Sequence, residues 1–369
     1  MILERLSILN YKNLEQADLM LSPKINCFLG SNGMGKTNLL DAIYYLSFCK
    51  SHNNAVDTQN IRHDADFAVI QGWYLLNDKQ EEFFCSLRRK QKKQFKRNKK
   101  EYERLADHIG SLPLVMVSPS DTELISGGSD ERRKFIDMVL SQFDKEYLHS
   151  LIRYNKALQQ RNALLKTDGP IDDTLLSLWD EQLDAEGRVI YTKRNDFIDK
   201  FIPTFQKYYD YICSSNEKVE LKYESHFENP GFLESLRQKR ERDKILGYTS
   251  SGIHKDELDM QMDGYSIKRV GSQGQNKTYV VALKLAQFDF LRKATGTTPV
   301  LLLDDIFDKL DSSRVEQIIT LVLDKEFGQI FITDTNREHL DDILSRTNSN
   351  YHLYEVVKGE VIQKNNPAL

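Results

Sequence analysis

No stretch of about 18 consecutive apolar residues occurs in the chain, so a membrane-spanning helix is not expected. Met1 to Asn10 carries Glu4 and Arg5 inside an alternating pattern and lacks the apolar core of a signal peptide, which points to the cytoplasm. Cysteine is scarce. The four present, Cys27, Cys49, Cys85 and Cys213, lack the paired spacing of a zinc site, and reduced core thiols are the expected reading. Nor is there an excess of one charge: the net charge is −4, so any affinity for nucleic acid must come from a local patch. Internal repeats and low-complexity linkers are missing too. What remains is a charged chain of 369 residues with 40% apolar content, enough for two or three domains with real cores.

Against that background one segment stands out. Gly30-Ser31-Asn32-Gly33-Met34-Gly35-Lys36-Thr37 fits the pattern G-x-x-x-x-G-K-[ST], and it has the surroundings that pattern needs. The apolar run Ile25 to Leu29 leads into it as a strand, and Leu39, Leu40, Ile43, Tyr44 and Leu46 follow at helical spacing. Glycines let the backbone wrap a polyphosphate, while amide N–H groups and the helix N-terminus hold its charge. Lys36 is placed to reach the outer phosphates and the Thr37 hydroxyl to take a Mg²⁺ position. The pattern predicts a nucleoside triphosphate site.

Strand-like patterns come first: Ile2 to Leu9, Leu14 to Leu21 as a hairpin partner, then Phe67 to Leu76 and Glu82 to Leu87. From about Asp130 the texture becomes helical, over Glu131 to Gln142, Lys145 to Leu165 and Asp173 to Cys213, broken at Asp168-Gly169-Pro170. Much later Val300-Leu301-Leu302-Leu303-Asp304-Asp305 reads as a buried strand ending in two acids, and in P-loop proteins the terminal Asp of such a strand helps to hold Mg²⁺. About 270 residues separate Thr37 from Asp304, well beyond an ordinary domain of about 100–150. The expected fold class is therefore α/β with a split nucleotide domain, residues 1–128 and 245–369, interrupted by a helical insert at 129–244.

A third element is Gly271-Ser272-Gln273-Gly274-Gln275-Asn276-Lys277, which opens the apolar helix Tyr279 to Leu291 with Ser272 as its N-cap. A plain capped helix accounts for it in isolation. With one anion-binding helix start already present, a second points to a head-to-tail homodimer in which each subunit closes the other's site.

The P-loop, the late Asp-Asp strand and the Ser-Gln-Gly-Gln helix start resemble the ABC-type ATPase heads of the SMC class, and within it the RecF family of bacterial recombination-repair proteins. The resemblance also rests on Asn10 to Leu14, Lys50-Ser51-His52, Val117-Ser118-Pro119, Gly127-Gly128 with Arg132 to Phe135, and Gly252-Ile253-His254-Lys255-Asp256. It implies an ABC-type ATPase head, a mixed sheet with a P-loop, carrying an inserted helical second lobe. ATP is then bound by Gly30 to Thr37 with Asn38, Lys12 and Asn13, and by Ser272, Gly274 and Gln275 of a partner. Mg²⁺ is held by Thr37 and Asp304. Catalytic roles fall to Lys36, Asp304, Asp305 and Ser272, with Asp311 closing the following loop. Asp305 stands where many ABC ATPases have Glu, which implies slow turnover with ATP as a switch. DNA, in duplex, gapped or junction form, and mediator proteins of the RecO and RecR type are the implied partners, with no membrane involved.

Three departures qualify this. Phe331 to Thr335 has no switch His, which leaves Thr333 or Thr335 as γ-phosphate sensors. Asn53 follows Ser51-His52 where related sequences often carry Arg. Ile253 and Lys255 replace the usual Pro and Arg, and His254 reads as structural.

Charge supplies the DNA side. Arg88, Arg89, Lys90, Lys92, Lys93, Lys96, Arg97, Lys99, Lys100 and Arg104 crowd one segment and together can neutralise several phosphates. A solvated hairpin is the plainer alternative. Phe95 and Tyr102 lack the spacing of a base-stacking platform. A second set, Arg132, Arg133, Lys134, Arg153, Arg161, Arg188 and Lys193, lies on the helical insert and is expected either to line a duplex channel or to be solvated. The competing functional readings are an ATP-gated DNA clamp that helps load a recombinase, an ATP-binding scaffold without meaningful hydrolysis, and a transport-type ABC subunit. The last expects Leu-Ser-Gly-Gly-Gln and a switch His, and this chain has neither. No Asn-Lys-x-Asp motif for guanine is present.

Overall fold

Alternating apolar residues build the first sheet. The computed structural model describes residues 1–54, 56–167, 169, 172–213, 217–306, 312–323, 327–335 and 351–364. Strand β1 (Ile2–Tyr11) buries Leu3, Leu6, Ile8 and Tyr11, and β2 (Leu14–Met20) pairs with it through a two-residue turn at Lys12 and Asn13. The strands β3 (Ile25–Leu29), β4 (Phe67–Leu76), β5 (Lys79–Arg88), β6 (Gln94–Arg97), β7 (Lys100–Glu101) and β8 (Leu114–Val117) complete this stretch of the chain. Helix α1 (Lys36–Phe48) follows β3.

Two compact units emerge, one of Met1–Asp121 with Lys284–Leu369, the other of Thr122–Leu283. The second unit holds α2 (Ser129–Ser141), α3 (Lys145–Leu165) and the 41-residue α4 (Asp173–Cys213), with β9 (Val219–Glu224), β10 (Glu257–Met262) and β11 (Tyr265–Ser266) in a small antiparallel sheet. Asp144 caps α3 by accepting the Tyr147 N–H at 2.9 Å. Pairing of β10 with β9 keeps residues 257–262 with the helices, so this unit reaches further along the chain than the helical pattern alone suggested. Helix α5 (Gln273–Thr295) leads out of it, and β12 (Val300–Asp304), α6 (Ser312–Leu323), β13 (Ile330–Asp334), β14 (Tyr351–Val357) and β15 (Glu360–Lys364) return to the first unit.

The first unit has two six-stranded sheets, ordered β2-β1-β4-β5-β6-β7 and β15-β14-β3-β13-β12-β8. Strands β3, β8, β12 and β13 are almost uninterrupted apolar runs and pair in parallel, as strands covered on both faces do. Helix α1 touches β1, β4 and β5 of one sheet and β8, β12 and β13 of the other, which is why it is apolar on nearly every side. Gly72 on β4 makes room for it: a Cβ there would lie 2.8 Å from the Leu46 side chain. The two sheets are also stitched by buried Gln329, which exchanges hydrogen bonds with Leu3 N and O at 2.7 and 2.8 Å and donates to Ser22 O at 2.8 Å. Among the described residues no helix is long and apolar enough to cross a membrane.

Candidate functional site

The loop between β3 and α1 sets the site. Gly35 caps α1 at φ 114, and a Cβ on it would lie 2.9 Å from Asn13 Oδ1, so both conformation and space demand glycine. Ser31, Asn32 and Gly33 are exposed, while Lys36 is buried. A cavity of about 230 Å³ is lined by Asn32, Gly33, Gly35, Lys36, Thr37, Asn38, Asp304 and Asp305. The loop and the late acidic strand thus meet across the interval that separates them in sequence.

Within this cavity the Lys36 ammonium donates to Gly30 O at 2.6 Å and Ser31 O at 3.1 Å. Burial lowers its pKa, opposed by Asp305, Asp304 and Asp334. Thr37 Oγ1 donates to Asp304 Oδ1 at 3.0 Å, and Thr333 Oγ1 donates to the same oxygen at 2.6 Å. Asp304 is 4% exposed, and burial raises its pKa against the pull of those two hydroxyls. Asp305 turns away from the strand in the left-handed region at φ 48, its N–H shared between Thr333 Oγ1 at 3.1 Å and Thr333 O at 3.3 Å. One threonine on the neighbouring strand therefore orients both acids. Thr335 is exposed, and Asp311 lies outside the described residues.

The β1–β2 turn flanks the loop. Asn13 donates to Gly33 O at 3.4 Å and accepts from Asn38 Nδ2 at 2.7 Å. Lys12 is held elsewhere: its ammonium meets Asp41 Oδ2 at 2.5 Å and Ser51 Oγ at 3.2 Å. Asp41 is fully buried and also accepts from Tyr11 OH at 2.6 Å, Ser51 Oγ at 2.7 Å and His52 N at 2.6 Å. Sequence reasoning missed this carboxylate. Its signal was available, since a lone acid in a helix buried all round must be paired.

Ser272, Gly274 and Gln275 belong to the helical unit. There Ser272 and Gln275 form a reciprocal capping box, Gln275 N to Ser272 Oγ at 3.2 Å and Ser272 N to Gln275 Oε1 at 2.9 Å. The Gln275 amide also donates to Glu217 Oε1 at 2.8 Å, and Thr278 Oγ1 to Gly274 O at 2.9 Å.

The basic segment forms the β5–β6 and β6–β7 turns. Arg88, Arg89, Lys90, Lys92, Lys99 and Lys100 are exposed. Lys93 is internal rather than a DNA contact, whereas Arg97, its side chain 41% exposed, is paired but still reaches the surface. Arg97 pairs with Glu81, and Lys93 turns inward to Cys49 O and Asp57. Lys96 is half-buried, its ammonium 5.6 Å from the Phe84 ring. Phe95 is buried against His108 and Tyr102, so no base stacks on it. On the helical unit all seven cations of the second set pair with carboxylates, and Arg161 is fully buried between Asp180 and Asp243. An arginine enclosed this way cannot line a duplex channel. His254 is structural: it bonds Tyr154 OH at 2.9 Å and Thr249 O at 3.0 Å, and burial pushes its pKa down to about 4. Asp256 beside it pairs with buried Arg194 at 3.1 Å.

The family described as "RecF/RecN/SMC N terminal domain" matches residues 2–361. The DNA replication and repair protein RecF of Phocaeicola vulgatus is 62% identical over 100% of both chains, and that of Bacteroides fragilis 62% identical over 98% of both. Among solved structures, the recombination mediator protein RecF with ATP in the RecFOR pathway superposes with a TM-score of 0.87 at 28% identity, covering 98% of this chain and 99% of that one. The Smc head domain of Pyrococcus furiosus, at a TM-score of 0.57 and 16% identity, covering 98% of this chain and 96% of that one, shares the fold.

Proposed function

We propose, for a chain that belongs to the RecF family within the RecF/RecN/SMC class, an ATP-gated DNA-binding role in recombinational repair and replication. The chain is an ATP-binding recombination-repair protein. The observation that carries the gating reading is the junction of Thr37, Asp304 and Thr333 at the mouth of the glycine loop. A buried carboxylate and a hydroxyl 3.0 Å apart are hard oxygen ligands. Burial works against the ionised form of Asp304, so the pair fits a divalent cation that would neutralise it. Thr37 and Asp304 would hold Mg²⁺, which when bound would offset the charge of the phosphates.

Lys36 leaves its loop carbonyls for the outer phosphates, and the amides of Gly33 to Thr37 wrap them. Asp305, set by the Thr333 backbone and hydroxyl, orients the attacking water. Its side chain is one methylene shorter than the Glu of faster enzymes, so turnover is slow and ATP acts as a switch. A second copy supplies Ser272, Gly274 and Gln275, making an ATP-dependent homodimer on duplex or gapped DNA. Proteins of the RecO and RecR type act with it to load a recombinase.

The test measures ATP turnover and DNA retention together, with and without Mg²⁺–ATP, on duplex, gapped and single-stranded DNA. Lys36→Ala is expected to lose ATP-dependent retention, and Asp305→Asn to keep retention while losing turnover. Turnover of Asp305→Asn at the wild-type rate overturns the role of that residue. Retention indifferent to ATP in the wild type overturns the gate and leaves an ATP-binding scaffold.

A further inference from the structure

We infer that Lys93 is a positioning residue that couples the basic turn to the nucleotide loop, an inference that rests on the reading of the chain as an ATP-gated DNA-binding protein. Lys93 lies in the turn between β5 and β6, beside exposed Arg88, Arg89, Lys90 and Lys92, yet its own side chain is only 17% exposed. The ammonium donates to Cys49 O at 2.6 Å and to Tyr45 OH at 3.3 Å, and meets Asp57 Oδ2 at 3.1 Å. Tyr45 in turn donates to Asp57 at 2.6 Å.

Cys49 is the residue that ends α1. It sits in the left-handed region at φ 54, its N–H bonded to Tyr45 O at 2.8 Å. Carbonyls at a helix C-terminus lack helical partners and carry the negative end of the helix dipole, so a cation there is held by geometry and field together. The basic turn thus grips the last turn of the helix whose first turn carries Lys36 and Thr37.

Thirteen residues span about 20 Å. Most of α1 is buried and it touches both sheets, so it transmits displacement as a rod rather than bending. Phosphates gathered by the exposed cations draw on the turn, and Lys93 passes that draw to α1 and so to the loop. Nucleotide acting on the other end sets the turn by the same path, because coupling between two ligands is reciprocal.

The experiment measures duplex DNA affinity of the full chain across salt concentrations, with and without Mg²⁺–ATP. Wild-type protein is expected to bind DNA more tightly with ATP, within the usual coupling range of about 5- to 150-fold. Lys93→Met is expected to keep the nucleotide-free affinity and its salt slope while the ATP effect falls below about twofold. Lys93→Arg restores part of that effect. Asp57→Asn removes an acid near the turn, which by charge alone strengthens DNA binding, yet it is expected to lower the ATP effect too. These two milder variants keep the test decisive should Lys93→Met unfold.

Full coupling in Lys93→Met overturns the inference. So does a salt slope reduced by about 0.9, which marks Lys93 as a phosphate contact instead. Wild-type DNA binding that ATP leaves unchanged, or a wild type that binds no DNA, overturns the reading beneath the inference, whereas an ATP-gated wild type with full coupling in Lys93→Met overturns the inference alone.

Discussion

Replacing Asp41 with Asn tests whether the buried carboxylate on the P-loop helix holds the β1–β2 turn in place. Asp41 is fully buried and takes four donors, from Tyr11, Lys12, Ser51 and His52, at 2.5 to 2.7 Å. Asparagine has the same shape but one acceptor oxygen. If that oxygen keeps the His52 N–H, the amide nitrogen faces two hydroxyls that can rotate to accept and one ammonium that cannot. Removing one partner of a buried pair costs about 3–5 kcal/mol. Lys12 is 9% exposed and can reach partway to water, so the low end applies, about 3 kcal/mol. At about 2–4 °C per kcal/mol for a unit of this size, the midpoint falls by about 6–12 °C. Thermal unfolding of the full chain with a resolved transition for the nucleotide unit measures it. The double variant Asp41→Asn with Lys12→Met, which removes the stranded ammonium while keeping an acceptor for the His52 N–H, is expected to be more stable than Asp41→Asn alone. A loss below about 1 kcal/mol in Asp41→Asn, or strict additivity in the double variant, refutes the reasoning.

Two further outcomes follow from the acid pair. Thr333→Val removes the 2.6 Å donor to Asp304 and one acceptor of the Asp305 N–H, so turnover should fall about tenfold, equivalent to about 1.4 kcal/mol of lost positioning, while Thr333→Ser retains activity in the same steady-state assay. Because burial raises the Asp304 pKa above 3.8, that group opposes folding of the nucleotide-free protein at neutral pH, and its penalty fades as pH falls through the folded value. Proton and Mg²⁺ then compete for one carboxylate. The thermal stabilisation given by Mg²⁺–ATP is expected to shrink as pH falls through the raised Asp304 value, and Asp304→Asn should flatten that dependence.

Where chemistry needs contiguous residues, the sequence was explicit. Gly30 to Thr37 and Val300 to Asp305 each announce a strand, a turn and a polar end within eight positions, and the α/β head followed from them. Relationships closed by folding were not legible. Asp41 reads as a lone acid that must be paired, but its partners are unknown until Tyr11 and the Ser51-His52 turn arrive from two other segments. The cations from Arg88 to Arg104 read as one patch because sequence adjacency hides direction. Only the turn geometry sends Lys93 toward Cys49 and Arg97 toward Glu81 while Lys92 and Lys99 face solvent. Arg161 could not be told from an exposed arginine, since its acids Asp180 and Asp243 lie 19 and 82 residues away.

The strand order has a consequence for biosynthesis. Strand β3, which leads into the glycine loop, has β13 on one side and β14 on the other. Both are translated about 300 residues later, which at about 5–20 residues per second means a wait of about 15–60 s. Throughout that interval the apolar edges of Ile25–Leu29 have neither neighbour. The glycine loop is flanked on both sides only when the late strands arrive beside β3, so the ordering of this site waits on residues about 300 positions further along the chain.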